Sequence, residues 1–145
     1  MDSPLVGAWC LVAWRRVAAD GSVAYPFGSD ALGRLVYTAD GFMAATVARA
    51  ERPPFAAGDI GGGTVEERAA AAEDYIAYCG RYEFDGGTVT HHIELSLFPN
   101  WTGTDQARTV RLEGDQLTLR TPPILFGGAA MEHELDWERL ARPAT

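Results

Sequence analysis

Lysine is missing altogether: all twelve basic residues of this 145-residue chain are arginine. No Schiff-base step on a lysine amine is open to it, which removes aldolase-like and pyridoxal-dependent chemistry. Histidine occurs at three positions, and asparagine only at Asn100. The two cysteines, Cys10 and Cys79, have neither metal-ligand spacing nor the density of a disulfide framework. No uninterrupted run of about 18 apolar residues exists to span a bilayer, and the N-terminus lacks a charged stretch leading into an apolar one with a cleavage site. We therefore expect a cytoplasmic protein with reduced thiols and no membrane partner, in which the Asn100-Trp101-Thr102 sequon carries no glycan. Positive charge is also in deficit. A net charge of −8, with no arginine cluster to offset it, excludes nucleic acid as a partner.

Glycine and proline, in contrast, are plentiful, at sixteen and eight. Turns that frequent imply short strands rather than long helices. The first strand is expected at Val6–Ala18, with Trp9, Leu11 and Ala13 on one face and Cys10, Val12 and Trp14 on the other. Val23–Ser29, broken by Pro26, reads as an edge or loop piece. Gly33–Thr38 and Phe42–Ala48 form a hairpin through Ala39-Asp40-Gly41. After the proline- and glycine-rich Glu51–Gly63, the run Thr64-Val-Glu-Glu67 is a capping box and opens a helix of about three turns over EERAAAAEDYIAY. Strand pattern resumes at Cys79–Asp85, Thr88–Phe98, Asp105–Glu113, Gln116–Thr121 and Met131–Leu140. A hairpin succession of about eight or nine strands, with one inserted helix and nothing to make parallel crossovers, predicts an all-β, up-and-down antiparallel barrel forming a single domain over 1–145. At that strand number the interior is either packed or holds one small ligand.

Gly7-Ala8-Trp9 at the head of the first strand resembles the G-x-W of lipocalins. There an arginine of the last strand lies across the tryptophan, and Arg139 in Trp137-Glu138-Arg139 is the matching residue. More specifically, YPFGSDALGRLVYTADGFMAA and YIAYCGRYEFDGGTVTHHIELSLFPNWTGTDQARTVRLEGDQLTLRTPP resemble the lipocalin-like domain family of bacteria and fungi, over nearly the whole chain. The resemblance implies a barrel that binds a small apolar molecule. Some barrels of broadly this kind act as cofactor-free isomerases or cyclases in natural-product pathways.

Strand parity indicates which polar groups face inward. Along Thr88–Phe98, His91 shares its face with Val89, Ile93, Leu95 and Leu97, which puts His92 outside unless a bulge reverses the order. Gln106 and Arg108 share a face with Val110 and Leu112. Tyr78, Tyr82 and Phe84 share one with Gly80, which would leave room beside them, and His133 shares one with Leu135 and Trp137. An inward Arg108 requires either a carboxylate, with Glu83 or Glu94 as candidates, or an anionic ligand. Phe98-Pro99-Asn100-Trp101 and the helix are placed at the barrel mouth, with Asn100 setting a turn or donating to a ligand and Trp101 as a wall or cover.

His91 and His92 point opposite ways, and no acidic residue shares a face with His91 and His133. We therefore expect no metal and no cofactor. Two function classes follow. One is a cofactor-free isomerase, cyclase or dehydratase acting on an apolar, oxygenated, polyketide-like metabolite. In it His91 is the acid/base with a near-neutral pKa, Arg108 stabilises an enolate or carboxylate, and Tyr78 or Tyr82 orients the substrate. The other is a carrier with the same lining and no turnover. Trp14, Val36 and Val12, on the expected outer face, suggest a homodimer contact.

Overall fold

The computed structural model describes residues 2–141. The strands are β1 Gly7–Val17, β2 Val23–Ala24, β3 Leu32–Tyr37, β4 Phe42–Ala48, β5 Tyr75–Phe84, β6 Thr88–Ser96, β7 Asp105–Glu113, β8 Gln116–Arg120, β9 Ile124–Phe126 and β10 Ala129–Arg139. Helix α1, Val65–Glu73, lies between β4 and β5, and a 3-10 turn covers Pro99–Trp101. The order β1-β3-β4-β5-β6-β7-β8-β10 is antiparallel throughout and closes where β10 pairs back onto β1. This is the expected up-and-down barrel. The two-residue β2 and three-residue β9 are ribbons beside β1 and β10.

The capping box is present: Thr64 Oγ1 accepts from Glu67 N at 3.1 Å, and Glu67 Oε1 accepts from Thr64 N at 2.9 Å. The helix nevertheless stops at Glu73 instead of running through Tyr78. Tyr75–Tyr78 pair with Ala45–Ala48 of β4, and α1 buries no residue. A ladder partner with packing outweighs the propensity of an exposed helix. The short β9, Ile124-Leu125-Phe126, forms between Pro122-Pro123 and Gly127-Gly128, where the sequence carries loop signals.

Two bulges rewrite the parity. In β1, Leu11 faces Trp137 and Ala13 faces Asp136, which leaves Val12 as an extra residue. Trp9, Leu11 and Trp14 therefore all point inward, and Val12 is half exposed. Trp14 is thus core rather than part of an outer contact face. In β6, Cys79 faces Leu95 and Gly80 faces Ile93, so Glu94 is extra. Val89, His91 and Ile93, before the bulge, are buried as expected. Leu95 and Leu97, after it, are 68% and 47% exposed, against expectation. A Cβ at Gly80 would stand 2.0 Å from the His92 carbonyl oxygen. Gly80 thus leaves no room beside Tyr78 and Tyr82; the bulged strand occupies that space.

One end of the barrel is plugged. Arg139 lies 4.3 Å over the Trp9 ring and donates to the carbonyls of Val6 at 2.7 Å and Pro4 at 2.9 Å. Trp9 Nε1 donates to Leu5 O at 2.9 Å. Gly7, at φ 135°, has to be glycine, since a Cβ there would also meet Arg139 Nη1 at 2.9 Å. The G-x-W spacing is the footprint of this plug. By strand direction, α1 and the Pro99–Trp101 turn lie at the opposite end.

Candidate functional site

Between the plug and that opposite end the barrel encloses a cavity of about 70 Å³, room for about five waters at the roughly 10–15 Å³ each requires. Its wall is mainly apolar, with Leu35, Val47 and Leu119 among the contributors, and His91, Arg108 and His133 interrupt it.

His91, on β6, is 1% exposed. Its Nε2 is 2.6 Å from the Tyr37 hydroxyl and its Nδ1 is 2.9 Å from the Tyr78 hydroxyl. With both ring nitrogens engaged, the imidazole is held as a neutral donor–acceptor between two phenols. Burial, aided by the charge of Arg108, pushes its pKa down to about 3. This differs from the near-neutral value that acid/base work would require. Burial raises the Tyr37 and Tyr78 hydroxyls, so both stay protonated.

His133, on β10, accepts a hydrogen bond at Nδ1 from Trp14 Nε1 at 2.9 Å. An indole nitrogen can only donate, so the proton of the neutral ring sits on Nε2. That N–H is buried with no protein partner, and the same holds for Trp137 Nε1–H. Both side chains line the cavity. Burial first, then Arg16 and Arg108, lower the His133 pKa to about 4.

Arg108 is 6% exposed. Its Nη1 donates to the Ala107 carbonyl at 2.9 Å. Neither expected carboxylate pairs with it: Glu83 points to solvent and lies 3.4 Å from His92, and Glu94 is exposed in the bulge.

His91, Arg108, Tyr78, His133 and Trp101 thus meet around one cavity, with the Trp101 ring edge-on to Tyr78 at 5.7 Å. The remaining expected residues lie elsewhere. Tyr82 points inward, but its hydroxyl donates to Thr38 O at 2.7 Å and its ring packs on Tyr37. Gln106 donates to Thr104 Oγ1 at 3.1 Å and does not reach the cavity. Asn100 is exposed, and its turn is closed by the backbone bond from Thr102 N to Pro99 O rather than by its side chain. His92 lies outside the barrel against Asp105 at 2.7 Å. Tyr37, Trp14 and Trp137 were not foreseen as site residues. The Leu35/Tyr37 alternation could have revealed the first, whereas the β1 bulge hid the second.

Cys10 and Cys79 are unbonded, and among the described residues no helix is long and apolar enough to cross a membrane. A 4'-hydroxy-3'-methoxypropiophenone carrier protein of Aspergillus oryzae is 37% identical over 109 residues, covering 69% of this chain and 98% of that protein. The lipocalin-like domain model matches residues 6–140. The plugged, antiparallel, pocket-bearing barrel and that match agree: the chain belongs to the lipocalin-like domain family.

Proposed function

We propose that this protein is a non-catalytic carrier that shelters a small, largely apolar, oxygenated aromatic molecule of the aryl ketone type. The observation that carries this reading is the pair of orphaned donors, His133 Nε2–H and Trp137 Nε1–H, in an apolar cavity. Unpartnered buried donors are costly, and a ligand that brings acceptor oxygens relieves them. The ligand named for the Aspergillus oryzae relative has such oxygens on an apolar frame. An aryl ketone needs more room than the cavity provides, and half-buried Trp101, on a surface turn, is the wall best placed to swing aside. Such a carrier would work in the cytoplasm, where the unbonded Cys10 and Cys79 stay reduced.

Titration with 4'-hydroxy-3'-methoxypropiophenone should quench the fluorescence of the cavity tryptophans saturably, and the ligand should be recovered chemically unchanged. Trp137→Phe, which removes one orphaned donor, should weaken binding about five-fold, in line with about 1 kcal/mol for a neutral hydrogen bond. Absence of saturable quenching rejects the carrier.

The rival reading, a cofactor-free isomerase, cyclase or dehydratase, draws on the Tyr37–His91–Tyr78 chain beside Arg108. An imidazole with a pKa of about 3 and both nitrogens occupied is better suited to positioning Tyr78 than to moving protons. Tyr82 has its hydroxyl committed to the backbone. Conversion of the bound ketone, lost in His91→Gln, would favour the enzyme.

A further inference from the structure

We infer that the cavity takes its ligand as an anion, an acyl phenol bound as the phenolate with Arg108 as its counter-ion. This rests on the carrier reading and adds the charge state of the ligand to it.

The inference starts from a positive charge that the protein leaves unbalanced. Arg108 is buried in a chain of net charge −8, yet none of its described carboxylates lies within ion-pair distance of it. A guanidinium has five N–H donors; one goes to the Ala107 carbonyl and the Tyr78 hydroxyl lies beside the group, and neither partner carries a negative charge. Removing a charge from water without a counter-charge costs several kcal/mol. The groups facing it from the neighbouring strands do not supply one. Tyr37 on β3 and Tyr78 on β5 are protonated phenols, and His91 on β6 and His133 on β10 are neutral. Arg16 on β1 adds a second cation near His133. It makes one bond, from Nη1 to Phe126 O at 3.3 Å, and its buried Nε has no partner. The protein's own groups therefore supply no negative charge to this cavity.

Burial, aided by Arg108, keeps His91 neutral, and burial keeps Tyr78 protonated although Arg108 pulls its pKa the other way. Among aryl ketones, one with a phenol para to the acyl group matches this field. The carbonyl withdraws electron density, so the phenol is far more acidic than a tyrosine, and its anion is spread over both oxygens. One oxygen meets Arg108, and the other can accept from His133 or Trp137. On binding, the O–H bond breaks, its electron pair stays on oxygen and the proton leaves to solvent.

The test uses 4'-hydroxy-3'-methoxypropiophenone and its 4'-O-methyl ether at a pH one unit below the phenol's pKa in water. Adding protein should raise the red-shifted phenolate absorption band and release protons in step with binding. The bound pKa should fall by at least about two units, a hundredfold preference for the anion. The ether, which cannot ionise, should bind at least about tenfold more weakly. Arg108→Met, checked for folding by its near-ultraviolet circular dichroism, should lose the band, and Arg108→Lys should restore it in part. Binding that leaves the phenol spectrum unshifted, with the ether bound equally well, would overturn the inference and leave the carrier intact. So would a phenolate band undiminished in Arg108→Met. If neither compound binds, the carrier reading falls and this inference falls with it.

Discussion

Gly80 shows how much one missing methyl group can decide. Because a Cβ there would stand 2.0 Å from the His92 carbonyl oxygen, Gly80→Ala must push β5 and β6 apart at the bulge. It should lower stability by about 2–3 kcal/mol, the upper range for overpacking, read as a drop in the urea midpoint. Gly87→Ala is the control. Its added methyl approaches only Asp85 Oδ1, at 3.8 Å, and should change stability by no more than about 0.5 kcal/mol. The same bulge shows why the interior was only partly legible. Alternation found His91, Arg108 and His133 because each lies on an uninterrupted stretch of its strand. It failed at Leu95, Leu97 and Trp14, which lie past an extra residue, and nothing in an apolar run marks the residue that will be squeezed out. The mark for β6 was there, but on the neighbouring strand, as Gly80.

Among the elements, α1 is the one whose loss the barrel should hardly register. Its boundary chemistry was readable from Thr64 and Glu67, since a capping box is local and needs no partner. Its C-terminal end was not, because whether Tyr75–Tyr78 stay helical depends on β4, some thirty residues earlier. Thr64→Ala should cost about 1 kcal/mol of helix stability. As α1 buries nothing, the cost should remain local: faster amide exchange over residues 65–73, with an unchanged global unfolding midpoint. A fall in that midpoint would mean the helix braces the barrel. The plug at the other end was legible for a related reason. Gly7, Trp9 and Arg139 interact directly, so their spacing carries the whole feature.

At the scale of the molecule, two buried histidines set the response to acid. His91 and His133 have folded pKa values lowered to about 3 and about 4, while an unfolded histidine titrates near 6.5. Between those limits the unfolded chain binds the extra protons, so stability must rise with pH. Lowering the pH from 7 to 5 should therefore weaken the fold, by about 2 kcal/mol per histidine, with further loss down to about pH 3. Urea melts across this window test the slope, and His91→Gln should flatten it by roughly half. Exposed His92 works in the opposite sense. The Asp105 hydrogen bond raises its pKa, so its small, solvent-screened contribution is present below about 6.5 and fades as pH rises through the raised value.

The seam between β1 and β10 joins nearly the first residues of the chain to nearly the last. On a ribosome, every other hairpin of the wall can form as soon as its second strand emerges, but this seam must wait for the final one. Until then β1 and β8 remain open edges, prone to pairing with a stranger, and the long loop to be closed makes the last step the slow one. A nascent chain therefore has no chamber at all and then, within one event, a whole one. A small ligand therefore finds a closed cavity only once β10 has paired with β1.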